Sequence, residues 1–411
     1  MGYEQGLSGL SAASSDLDVI GNNIANANTV GFKGSTAQFA DLYANSVATS
    51  VNDQIGIGTQ LSEVQQDFSQ GTIETTGQAL DVAINGSGFF QMSNNGALTY
   101  SRNGVFQTNN QGYIVNAEGL NLMGYAANAN GVINTAATVP LKIPTTNIAP
   151  MATQNIAAQL NLDSMDAMPT ITPFSETNPQ SYNYSTSVQT YDSLGGTEQV
   201  NMYFAKTGTN TWNVYAGTTG NATMVGTVDF STAGALTTTT PNAPATSAGN
   251  GYLTFNINTT DGSGTPQPLT LNLTGTTQYG SADGVNNLTQ DGYASGELSN
   301  YSIGADGTLT GSYTNGMTQV LGQVALANFN DPNGLTDLGG NEYGETTASG
   351  VPQVSAPGTT NHGTLQGGAV EESNVDLTNQ LVDLITAQRN YQANAQTIKT
   401  QQTVDQTLMN L

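Results

Sequence analysis

Apolar residues recur every seven positions at both ends of the chain. Toward the C-terminus Leu377, Leu384, Tyr391 and Ile398 hold one heptad position and Leu381, Gln388 and Ala395 a second, after which the row slips to Val404, Leu408 and Leu411. At the N-terminus Tyr3, Leu10, Leu17 and Ile24 are spaced by seven, with Gly6, Ala13, Ile20 and Ala27 at the companion position. This period predicts two terminal helices, each with one narrow apolar stripe. Neither Gly nor Pro occurs after Gly368, which favours a long C-terminal helix. Its start is expected at Ser373, with Asp376 three residues on as a capping box, and with Glu371 and Glu372 near the positive end of the dipole. A helix of about 22 residues, roughly 33 Å long, is marginal alone in water. The stripes therefore need partners: each other and, we expect, copies from neighbouring chains. An ordinary intramolecular pair capping a globular domain is the competing reading.

Between the ends the period changes to two. Leu80, Val82 and Ile84 alternate before a Gly86, Ser87, Gly88 turn, and Tyr113 and Val115 alternate after Asn110-Gln111-Gly112, predicting a β-meander. The style repeats in Val200, Met202 and Phe204, a turn over 206–210, then Trp212 and Val214. It returns in Leu253, Phe255 and Ile257, in Leu269, Leu271 and Leu273, and around the Asp306-Gly307 hairpin signal. The Gly, Asn and Thr-rich stretch 217–250 is expected to form loops or edge strands. Ten of the thirteen prolines lie between Pro140 and Pro268, and PLKIPTTNIAP at 140–150 reads as a linker into a separate module. The expected organisation is a terminal helical part (1–70 and 365–411), an inner β domain (71–145 and 291–364) and an outer β domain inserted into it (146–290). The fold class is mainly β with a terminal α-helical coiled coil.

Charge narrows the function. Six Lys and Arg stand against 30 Asp and Glu, a net charge of −24, so a basic stripe for nucleic acid is missing and attraction to anionic lipid is not expected. Without cysteine there are no disulfides, zinc thiolates, iron–sulfur clusters or thiol nucleophiles. The one histidine, His362, lies in TTNHGTLQGG, and no G-x-S-x-G supplies a nucleophile elbow. Gly56-Ile57-Gly58 lacks the third glycine of a dinucleotide loop, since Leu61 stands in its place. No catalytic residue, metal ligand or cofactor is therefore expected, and neither a cleaved secretory leader nor a membrane span is predicted. A carboxylate pair acting on polysaccharide stays open, because such a pair need only meet in space. So does a secreted β-rich adhesin.

Segment 17–33, LDVIGNNIANANTVGFK, resembles the N-terminal signature of the bacterial flagellar axial family, the rod, hook and hook-junction proteins. Asn23, Ala25, Asn26, Thr29, Gly31, Phe32 and Lys33 carry the match to its N-x-A-N-x-x-T-x-G-[YF]-K pattern. At the other end Ser373, Asn374, Val375, Asp376 and Leu377, followed by Gln388, Arg389, Tyr391, Gln392 and Asn394, resemble its C-terminal signature. ALDVAINGSGFF and YSRNGVF are similar to the family's β domain. Within the family the length and extra module fit a hook-type subunit, with a distal rod subunit as the alternative. The resemblance implies unfolded export through the flagellar type III apparatus and a homopolymer that meets rod, hook cap and hook–filament junction proteins and acts as a universal joint. Candidate assembly contacts are Leu10, Leu17, Ile20, Ile24, Leu377, Leu381, Leu384, Tyr391, Ile398 and Leu408. Residues 44–58 make a longer connection than the family minimum, where distal rod members carry an insertion linked to stiffness. Asn379-Gln380 stand where an acidic residue is common and are expected to be a neutral surface change.

Overall fold

A computed structural model describes residues 2–42, 56–259 and 261–409. Most of the long connection at 44–58 lies outside the described residues, as do Leu411 and the Leu408 side chain. The chain is mainly β, with helices α1 (Gly2–Ala25) and α2 (Leu377–Met409) at its two ends packed against each other. At 33 residues α2 is about 50 Å long. Two compact units are resolved: Met1–Thr145 with Ser299–Ser312 and Thr318–Leu411, and Thr146–Leu298 with Tyr313–Met317.

The second unit holds two five-stranded sheets. One is a consecutive antiparallel run, Tyr184–Tyr191, Thr197–Gly208, Thr211–Thr218, Thr223–Phe230 and Leu236–Pro241. In the other, Asn155–Asp163 runs parallel to Gln267–Asn272 and Thr277–Tyr279 and antiparallel to Gly284–Gln290. Alternate side chains of both sheets join in one core that includes Val200, Phe204, Trp212, Val214, Leu253, Leu269 and Leu271. This is the period-2 pattern of strands with one face buried. Within the stretch expected to be loops or edges, Thr223–Phe230 is instead an interior strand paired on both sides, and Val225 and Val228 reach the core. Its glycine supports that placement: a Cβ on Gly226 would come within 2.6 Å of Thr240 O.

In the first unit, strands Thr318–Val324, Asn121–Ala126, Phe89–Asn94, Ala97–Ser101 and Glu342–Gly344 are neighbours in one sheet. Leu80, Val82 and Ile84 are buried as the alternation predicts, but so is Ala83, so both faces of this strand are covered. An edge-to-face aromatic cluster of Phe89, Tyr100, Phe329 and Tyr343 packs beside it. Two short ladders then bring the C-terminal part of the chain back. Thr364–Gly367 pairs with Val82–Asn85, and Ala369–Glu371 pairs with Ile73–Thr75. The second ladder delivers Glu371 to the base of the helical pair.

Candidate assembly interface

α1 and α2 run antiparallel, because Gly6 faces Ile398, Gly9 faces Asn394 and Asn23 reaches Gln380. Small residues set the separation. A Cβ on Gly6 would lie 3.0 Å from Ile398 Cγ1, and one on Gly9 would lie 2.8 Å from the Asn394 amide. On α1 the companion heptad position is the covered one, with Gly6, Ala13 and Ile20 buried. Leu10, Leu17 and Ile24 are only half-buried, and Tyr3 is exposed. Along α2 the expected single stripe divides. Leu384 and Ile398 are half-buried and Ala387 is buried, while Leu377, Leu381 and Tyr391 remain exposed. One partner helix covers only one side of a neighbour, and a straight helix drifts by about 20° per heptad from a strict seven-residue row. Across the seam Asp16 faces Asp383. Burial, and then that neighbouring carboxylate, raise the Asp16 carboxyl above its ordinary value.

The signature residues gather where the helices meet the β sheets. Asn23 is buried and clamps the exit of α1, donating from Nδ2 to Ser35 O at 2.7 Å while its Oδ1 accepts from Ser35 N at 2.9 Å. Asn26 donates to Asn22 O and accepts from the Thr29 hydroxyl, closing the turn after the helix. Gly31 has φ +70°, and a Cβ there would sit 2.7 Å from Asn103 N, so glycine is required twice over. From the other end Asn374 accepts from Gly34 N at 2.8 Å and donates to Asp67 O at 2.7 Å, stitching both termini to residues 67–69. Ala25 is exposed, Phe32 and Val375 are half-buried, and Gln388 and Arg389 project from α2 into solvent.

Two local expectations change. The N-cap of α2 is Asp376 rather than Ser373, because the Asp376 carboxylate accepts from Thr378 N at 2.8 Å and Asn379 N at 3.3 Å. An aspartate immediately before the first turn satisfies the orphan N–H groups directly, so Ser373 is left bonded to Val375 N instead. Gln380 is not a neutral surface residue. It is half-buried and accepts from Asn23 Nδ2 at 3.2 Å.

Sequence reasoning missed the charge cluster at the base of the helices. Glu371 is expected near a helix dipole but is 1% exposed. Its Oε1 meets Lys33 Nζ at 2.7 Å and its Oε2 meets Arg102 Nη1 at 3.2 Å. Gly71 N also donates to Glu371 Oε1, Lys33 Nζ donates to Ser69 O, and Arg102 Nη2 donates to Gly86 O. Burial pulls the Lys33 ammonium and the Arg102 guanidinium below their ordinary values, and Glu371 opposes that pull on both. The Arg102 guanidinium also lies over the Phe89 ring at 5.4 Å. Three segments distant in sequence thus converge on the carboxylate of a fourth. Removing one member of such a group costs far more than the group gains over apolar packing, so it specifies position more than it stabilises. The sequence signal was that Lys33 and Arg102, two of only six cations, each fall within a family motif.

Family models cover this chain in sequence order. "Flagella basal body rod protein" matches residues 4–33, the "Flagellar hook protein FlgE/F/G D1 domain" 83–158, the "Flagellar basal body protein FlaE D2 domain" 160–293 and the "Flagellar basal body rod FlgEFG protein C-terminal" 366–411. The flagellar hook protein FlgE of Escherichia coli K12 is 43% identical over the full length of both chains. The chain belongs to the flagellar hook protein family. The hook protein of Treponema pallidum is 33% identical over 99% of this chain and 98% of its own. The crystal structure of Helicobacter pylori hook protein FlgE2 shares the fold, with a TM-score of 0.52 over 72% of this chain and all of that one at 13% identity. As a hook protein the chain is a structural, non-enzymatic subunit located in the flagellar hook, where it polymerises. The one histidine is His362. It sits in a loop with its ring nitrogens near Thr359 O and Gln353 O.

Proposed function

We propose that this hook protein builds a flexible helical tube that serves as a universal joint between rod and filament. The apolar surface left open on the helical pair supports this reading most directly. Leu377, Leu381 and Tyr391 stay in solvent although the helices already pack together. Exposed apolar rows on helices mark surfaces that another chain covers. Covering them with copies of the same chain gives head-to-tail contacts that do not close, which produces a filament rather than a ring-limited oligomer. The half-buried Leu10, Leu17, Ile24, Leu384 and Ile398, together with Ile20 and Leu408, complete the proposed contact set. In this reading the helical layer holds the tube together, residues 71–145 and 291–364 form a stiff middle layer, and the inserted module 146–290 faces outward. Its weakly charged, Asn and Thr-rich surface makes contacts that are individually weak and water-mediated, so bending resides there.

Rod proteins below, junction proteins above, a cap during growth and the type III export apparatus are the partners this role requires. The test is direct: full-length chain should form tubes visible by electron microscopy, and a chain lacking 1–28 and 370–411 should not. Tubes from the shortened chain would place assembly in the β domains and refute the division of labour.

A further inference from the structure

Of the six cations in this chain, four are engaged within it. Lys33 and Arg102 pair with Glu371, Lys206 donates to Ser164 O and Asp166 O, and Lys142 lies over the Tyr113 ring at 5.4 Å. Arg389 and Lys399, both exposed on α2, have no ionic partner among the described residues. Lys142 is exposed without an ionic partner as well, but in a chain of net charge −24 the two cations that make no contact of either kind among the described residues sit on one helix.

Arg389 also ends a row. Leu377, Leu381, Ile385 and Arg389 are spaced by four, and the three apolar members are 47%, 45% and 52% exposed. Residues at this spacing form one of the ridges by which helices fit into grooves. Elsewhere on the same pair, Asp16 and Asp383 face each other across the α1–α2 seam, on the wall of a cavity of about 240 Å³ that Ile20, Thr36 and Ala387 also line. No cation among the described residues neutralises the two carboxylates. At 100° per residue Arg389 lies about 120° around α2 from Asp383, so a chain's own guanidinium points away from its own carboxylates.

We propose that the ridge of Leu377, Leu381, Ile385 and Arg389 docks on the helical seam of a second copy, where Arg389 is received by Asp16 and Asp383. The inference rests on the homopolymer reading above and names which faces meet. A planar guanidinium suits two carboxylates, the apolar ridge suits a cavity walled partly by Ile20 and Ala387, and an entering cation would offset the repulsion between the two like charges. Cation and acid lie on different faces of one chain, so the contact repeats in one direction only and gives the polymer polarity.

Charge reversal in the full-length chain tests this, with tube formation followed by sedimentation and electron microscopy. Arg389→Glu should raise the concentration needed for tubes about tenfold or more, the scale of losing one partner of a desolvated charge pair. Asp383→Arg should do the same while raising the melting temperature of the lone chain, because the new guanidinium pairs with Asp16 inside it. The chain carrying both changes should recover most of the lost assembly. If Arg389→Glu is poorly folded by circular dichroism, Arg389→Gln replaces it with the same expectation. Assembly of the Arg389 variants at the wild-type concentration, or a double reversal no better than the weaker single variant, overturns the proposal. Failure of the wild-type chain itself to form tubes would instead overturn the homopolymer reading.

Discussion

In the unit of Thr146–Leu298 and Tyr313–Met317, two sheets turn their apolar faces to each other and bury Trp212, Phe204 and Leu269 completely, whereas the helical end of the other unit leaves Leu377, Leu381 and Ile385 in solvent. The sandwich is finished within one chain. The helical pair is not: its seam is built from glycine, alanine and asparagine, with few large side chains to close it. Surface left open in one region while another is sealed is, under the proposed assembly, the difference between a part made for stability and a part made for association. Within the unit that carries the helices, the Lys33, Glu371 and Arg102 cluster fixes where both termini leave the sheets.

Four substitutions sharpen that contrast. Trp212→Ala should cost about 3–5 kcal/mol, because it empties a fully buried site, and differential scanning calorimetry should show the loss in the transition of the sandwich. Equal loss in every transition would mean that the two units unfold as one. Glu371→Ala leaves two buried cations uncompensated and should cost about 3–5 kcal/mol in the unit that carries the helices. Denaturant unfolding measures this, and a loss below 1 kcal/mol would show that the cluster is dispensable. Removing the α2 cap with Asp376→Ala should cost about 1 kcal/mol, seen as fraying of the first turn by hydrogen exchange, with no change in the sandwich. Leu381→Ser should change the stability of the lone chain by less than about 0.5 kcal/mol yet impair tube formation. If instead the lone chain is markedly destabilised, that side chain belongs to the intramolecular core and the division between closed and open regions fails.

Much of this was readable in residue order. The alternation of Val200, Met202 and Phe204 placed those side chains in the core because a strand sends alternate residues to opposite faces. The heptads at the two ends announced the helices for a similar reason. The stripe on α2 was harder to place, since sequence cannot say which side one partner helix covers. Gln380, Ala387 and Asn394, none of them strong apolar signals, lie toward α1, while Leu381 and Ile385 do not. Thr223–Phe230 hid among glycines and threonines because its burial comes from strands on both sides rather than from its own composition.

The order of residues alone determined that both ends are helical, that the middle is β and that no thiol chemistry is available, because these depend on periodicity and composition along short stretches. Only the folded chain decided that Glu371 gathers Lys33 and Arg102 across 338 and 269 residues, that Asp376 rather than Ser373 opens α2, and that Arg389 faces outward while Asp383 borders the seam. Charge pairing and helix facing depend on distances through space, and chain connectivity fixes those only after the sheets have brought the two termini together.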